Sequence, residues 1–211
     1  IKAVGDAQKD KNGKIIIPYT SDAITQHSFV NEATSRGYKV ITIEGQLASH
    51  IVGKLEQTHT DVQFKRVDSD IIENLIEKEE TETSLLDEKA QETLTPVITS
   101  AFPSEGYDIK FAAMSPSSAP FVITRSEWMR RMKEQQAVGG GGFQMFGEMP
   151  DKYDVTVNSN HPLAMQLLEE KSDDKRNSIA KEAADLARLS QGMLEGEELA
   201  SFISRGFKKL E

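Results

Sequence analysis

The sequence contains no cysteine. That one absence excludes a disulfide framework, a thiolate nucleophile and a Cys-ligated zinc site. A reducing compartment fits it. No apolar run approaches the ~18 residues of a membrane span, and the first residues show no signal-peptide pattern. The expectation is a cytoplasmic protein with no membrane partner. Basic charge is in deficit, because 34 Asp and Glu stand against 25 Lys and Arg, leaving −9 at pH 7. Proteins that grip phosphate backbones carry the opposite sign, so no nucleic-acid partner is expected. What is present is 211 residues, 37% hydrophobic and 28% charged. Such a chain buries a real core, and its length suits more than one domain but fewer than two full-sized ones. It opens on Ile1 rather than Met, so a piece of a longer protein is expected.

More than half of the net charge lies between residues 76 and 95. The run Glu77-Lys78-Glu79-Glu80-Thr81-Glu82 therefore reads as a solvated connector. It sets a first unit at 1–78, a connector at 79–83 and a second unit at 84–211. In the first unit, short β-rich runs at 14–19, 38–43 and 62–67 alternate with helix-like stretches at 28–36 and 46–55. Gly37 sits where a helix C-cap glycine belongs. This order predicts a small three-layer α/β/α unit with a parallel sheet. The second unit reads as α+β with a small three-stranded sheet. Ser84 and Asp87 resemble a capping box, and Pro96 is expected to kink or break the helix that follows. Asn160 or His161 is expected to cap a helix with Pro162 in its first turn. Strands are expected near 107–114, 120–124 and 152–158, and two helices close the chain.

Motifs for catalysis are missing. Gly139-Gly140-Gly141-Gly142 follows a helix and runs into Phe143-Gln144-Met145-Phe146, without the strand before, the helix after and the Lys-Ser/Thr of a phosphate loop. The turn at Ile43-Glu44-Gly45-Gln46 carries one glycine, too few for a dinucleotide fingerprint. Four histidines (His27, His50, His59, His161) lie too far apart for metal-site spacing, and no nucleophile elbow occurs. No catalytic, cofactor-binding or metal residue is expected in this stretch.

Two apolar patterns stand out instead. Trp128, Met129 and Met132 fall on a short, otherwise polar helix near Ser126, and Phe143, Met145, Phe146 and Met149 follow among glycines. Methionine is flexible and polarisable, which suits surfaces that accept varied partners, but on the residues alone packing onto the sheet as ordinary core is the favoured reading. The last two helices carry stripes at three- and four-residue spacing. Ile179, Ala183, Leu186 and Ala187 form one; Leu199, Phe202, Ile203 and Phe207 form the other. Such a helical hairpin either closes over its own domain or meets a copy of itself in a four-helix bundle.

Taken in order, several segments resemble one family. Ser118-Ala119-Pro120-Phe121-Val122-Ile123-Thr124, then Trp128, then Met129-Arg130-Arg131-Met132-Lys133 is similar to the C-terminal domain of the ninety-kilodalton heat-shock chaperones. Asn158-Ser159-Asn160-His161-Pro162-Leu163 resembles that family's N-P-x-H-P-L segment, with Ser159 in place of the usual proline. Ile17-Pro18-Tyr19-Thr20 resembles a strand end late in its middle domain. A short charged connector and the lack of an acidic tail are what the bacterial branch is expected to show.

The resemblance implies an ATP-dependent, homodimeric stress-response chaperone, with ATP and Mg bound in domains upstream and no cofactor or enzyme activity in this piece. It implies the end of the middle domain followed by the C-terminal dimerisation domain. Unfolded or partly folded client proteins are then expected at Trp128, Met129, Met132, Phe143, Met145 and Phe146. The dimer interface is expected at Ile179, Ala183, Leu186, Ala187, Leu199, Phe202, Ile203 and Phe207. A fragment of a nucleotide-binding α/β enzyme is the alternative, and the missing glycine fingerprint speaks against it.

Overall fold

The computed structural model describes residues 4, 6–45, 47–78, 82–126, 129–133 and 152–210. By its contacts the chain divides into two compact units, residues 1–81 with 124–152 and residues 82–123 with 153–211. The stretch 124–152 groups with the first unit, and the chain returns to the second at Tyr153.

The first unit runs β1 (Ile15–Thr20), α1 (His27–Ser35), β2 (Ile41–Thr42), α2 (Ala48–Thr58), β3 (Val62–Arg66) and α3 (Ile72–Leu75). The three strands form a parallel sheet in the order β2-β1-β3. Central β1 is buried from Ile16 through Thr20, which is why its sequence is a continuous apolar run, whereas edge strand β3 alternates buried and half-buried residues. Helix α1 ends as Gly37 predicts. Gly37 adopts φ of +80°, and the Tyr38 N–H reaches the Ala33 carbonyl at 3.0 Å while the Gly37 N–H reaches Thr34 at 2.9 Å. This double closure needs a residue that tolerates the left-handed region. Strand β2 is shorter than the apolar run suggests, because Tyr38 and Val40 pack on Ala33, Ile72 and Leu75 instead of pairing in the sheet.

The second unit comprises α4 (Glu88–Ala101), β4 (Tyr107–Ala112), β5 (Phe121–Arg125), β6 (Tyr153–Asn158), α5 (Pro162–Glu169), α6 (Asp173–Ser190) and α7 (Gly196–Lys208). Its sheet has the order β4-β6-β5, with β4 and β6 parallel from Tyr107↔Tyr153 to Ala112↔Asn158. Leu94, Ile98, Phe102, Phe121, Ile123, Val155, Val157 and Leu167 form its core together with Ala180 and Ala184 of α6. The chain is thus mixed α/β, with two small sheets.

Three local expectations are decided here. Asp87, not Ser84, caps α4; its carboxylate accepts the Ala90 N–H at 2.8 Å, and Ser84 turns to the Leu86 backbone. Pro96 does not end α4, because Leu94, Ile98 and Ala101 anchor the helix to the core on both sides of it. His161 caps α5, its Nδ1 accepting the Leu163 N–H at 3.0 Å with Pro162 in the first turn. Ser159 lies two residues before this cap. Its N–H donates to the Ala112 carbonyl at 2.9 Å, a bond that a proline there would not make.

Candidate functional site

Among the described residues no His, Cys, Asp and Glu cluster that would hold a metal ion occurs. No helix among them is long and apolar enough to cross a membrane. The distinctive surfaces are apolar, and each lies within one unit.

The first is the α6–α7 hairpin. Helix α6 begins on Asp173 and Asp174 and carries Arg188 in its last turn, while α7 begins on Glu197 and Glu198 and ends on Arg205 and Lys208. Both patterns complement the helix dipole. Gly192, at φ of +63°, turns the chain between them. What joins the two helices is charge. Asp185 of α6 is only 1% exposed, with Lys181 Nζ at 2.6 Å, Arg205 Nη2 at 2.5 Å and Arg188 Nη1 at 3.8 Å. Glu182 meets Arg205 Nε at 2.6 Å and Lys209 Nζ at 3.1 Å. Burial works to raise the Glu182 pKa, but hydrogen bonds from Arg205 and Lys209 outweigh it and hold the carboxylate below its ordinary value. Arg188 spans to Glu198 at 2.6 Å, and that hydrogen bond, acting against partial desolvation, lowers the Glu198 pKa.

Helix α7 buries none of its residues. Of the expected interface residues, Phe207 is 65% and Ile203 47% exposed, Leu199 and Phe202 are half-buried, and Arg205 lies over the Phe202 ring at 5.7 Å. On α6, Leu186 is exposed and Ile179 half-buried, whereas Ala183 and Ala187 belong to the unit's own core. Those two alanines also form the floor of an apolar groove of about 680 Å³, walled by Pro120, Phe121, Leu163, Ile179 and Leu186. The hairpin therefore presents its apolar residues outward beside an open groove.

The second surface is in the first unit. Met129 and Met132 are half-buried on the helical residues 129–133. Trp128, Phe143, Met145 and Phe146, expected with them, lie outside the described residues, as does the Gly139–Gly142 run.

Sequence reasoning missed a third surface. Leu47, at the N-cap of α2, and Ile51 and Leu55 within it recur every four residues and are 57%, 47% and 37% exposed, while Ala48 and Val52 take the inward face. The four-residue spacing was the available signal, but apolar residues on both sides of one helix conceal which side is solvated.

A family model described as Hsp90 protein matches residues 8–205. The chain is 39% identical over 170 residues to the chaperone protein HtpG of Bacteroides thetaiotaomicron, a match covering 79% of this chain and 25% of that protein. It is 33% identical over 189 residues to the chaperone protein HtpG of Porphyromonas gingivalis, covering 88% of this chain and 28% of the relative. The HtpG of Bacteroides fragilis is 33% identical over 180 residues, covering 84% and 26%. The chain spans about a quarter of the length of the curated relatives it matches. With nearly all of its length matched, the chain belongs to the Hsp90 family, in the company of its bacterial HtpG members.

Proposed function

We propose that this chain is the dimerising and client-contacting end of an ATP-dependent molecular chaperone that assists protein folding in the bacterial cytoplasm. In this reading residues 1–78 are the last, three-layer α/β/α part of the middle domain, and 84–211 are the C-terminal dimerisation domain. ATP and Mg bind in domains upstream, so this piece is not itself an enzyme.

The observation that carries the reading is α7. A helix with one apolar face that buries no residue in its own unit leaves that face to a partner. A second copy supplies the same face, and pairing two such hairpins about a two-fold axis makes a four-helix bundle. Clients then meet the outward side chains of Leu47, Ile51 and Leu55 on α2, together with Met129 and Met132. Trp128, Phe143, Met145 and Phe146 complete the same proposal. Apolar and thioether side chains provide contact area without fixed hydrogen-bond geometry, which suits varied unfolded partners.

Solution mass tests the reading. Light scattering is expected to give twice the chain mass at micromolar concentration, from an interface that buries on the order of 2,000 Å² or more. A monomer at that concentration overturns it. Nucleotide titration is expected to show no saturable binding, and turnover abolished by a substitution within residues 1–75 would revive an enzyme reading.

A further inference from the structure

Residues 129–133 carry two consecutive arginines, and both side chains end on the first unit. Arg131 places Nη1 at 3.0 Å from Glu56 Oε2 and Nη2 at 3.4 Å from Oε1, and Nη2 also donates to the Phe64 carbonyl at 3.1 Å. Glu56 is itself fixed, because its Oε1 accepts the Phe64 N–H at 2.8 Å. The two side chains are 26% and 21% exposed, so the pair is partly shielded from water. Arg130 donates from Nη2 to the Tyr19 hydroxyl at 2.5 Å, with its guanidinium 5.8 Å from the ring centre. Tyr19 is wholly buried in central strand β1, so that anchor does not move with solvent.

A forked guanidinium–carboxylate contact on a fixed carboxylate is a directional, charge-assisted attachment. Exposed ion pairs are weak, whereas a partly covered one such as this is screened less by salt. A partner that binds the released segment better than the docked one shifts the balance between them.

We propose that Arg130 and Arg131 form a latch. Docked, it holds the segment that carries Met129 and Met132 onto β1, β3 and α2; released, it offers both thioethers to an unfolded polypeptide. Met129 and Met132 are three residues apart, so they turn toward a partner together. The latch rests on the client reading above and is its regulation.

The test uses the 211-residue chain and reduced, carboxymethylated α-lactalbumin as the unfolded probe. Glu56→Gln retains an oxygen for the Phe64 N–H but removes the charge facing Arg131. Amide hydrogen exchange at residues 129–133 is expected to accelerate, and capture of the probe to tighten, each roughly three- to tenfold, the range that losing a partly covered ion pair commands. Arg131→Ala is expected to match it, and the exchange of charges Glu56→Arg with Arg131→Glu to return both readouts toward the parent. Unchanged exchange in both single variants overturns the latch. Faster exchange with capture equal or weaker also overturns it and leaves client binding standing. No saturable capture by any variant sinks the client reading and the latch with it.

Discussion

Arg205 of α7 reaches the buried Asp185 of α6, with Nη2 2.5 Å from Oδ2, while its Nε holds Glu182 at 2.6 Å. One guanidinium thus bridges two acids three residues apart on one face of the neighbouring helix. Since α7 buries no residue, charge rather than apolar packing sets where it lies. That leaves its apolar residues uncommitted within the unit, which is the condition for pairing with a second copy.

Arg205→Ala is therefore expected to loosen α7. Asp185 keeps Lys181 and Arg188, so its charge is not stranded, and the loss is about 1–3 kcal/mol, the scale of hydrogen bonds to charged groups. Urea unfolding measures it. Dimer dissociation should also move to higher protein concentration, because a helix without a fixed seat must be ordered on association. Unchanged unfolding and unchanged dissociation would show that the bridge contributes nothing.

Phe207→Glu probes the outward face. The ring is 65% exposed within its own unit, so the substitution should leave the monomer's fold intact. Buried in a bundle, the new carboxylate would cost several kcal/mol by desolvation. Sedimentation is expected to show a dimer for the parent and a monomer for this variant, with the same circular dichroism. Phe202→Glu should act in the same direction, with added local cost because Phe202 is half-buried beneath Arg205.

Local chemistry was readable from the sequence wherever one residue decides the geometry. Gly37 ends α1 and His161 with Pro162 starts α5 because both depend on backbone conformation and one nearby donor. Pro96 does not break α4, since a helix anchored by Leu94, Ile98 and Ala101 absorbs one missing hydrogen bond. The periodic stripes were legible, but not which side of each is covered. Ala183 and Ala187 belong to the core while lining the groove beside the hairpin, and Leu47, Ile51 and Leu55 went unnoticed although they are exposed. Pairs such as Arg131 with Glu56 and Arg205 with Asp185 were not legible at all. They join residues far apart in the chain, and only the fold brings them together.

The α5 cap predicts a pH effect at His161. Burial holds its imidazole below the ordinary value of 6.5, and the neutral Nδ1 is the atom that accepts the Leu163 N–H. The unfolded chain takes the proton more readily, so the contribution is full above about 6.5 and is lost as pH falls through the lowered folded value. His161→Ala should lose about 1 kcal/mol at pH 7.5 and progressively less in acid. His161→Asn keeps a capping oxygen without titrating, so its difference from the parent should shrink or reverse below pH 6. A difference independent of pH, read from urea midpoints, would remove the cap from this account.

Ile51 and Leu55 lie four apart on the outward side of α2, and Leu47 precedes them by the same step. Side chains already in water lose little when shortened, so Ile51→Ser with Leu55→Ser should change stability by roughly 1 kcal/mol or less in total. The inward residue Val52 is fully buried, and Val52→Ala should instead cost about 1–3 kcal/mol, which gives an internal control on the same helix. If α2 is a client surface, the serine pair should weaken capture of an unfolded polypeptide several-fold, because each side chain removes apolar area from the contact. Two such surfaces in a dimer raise effective affinity by linkage, so the loss should be larger in the dimer than in a Phe207→Glu monomer. Capture that survives the serine pair, with stability intact, would leave the stripe as ordinary exposed surface. A large fall in stability would instead mean that these side chains pack against something within the chain.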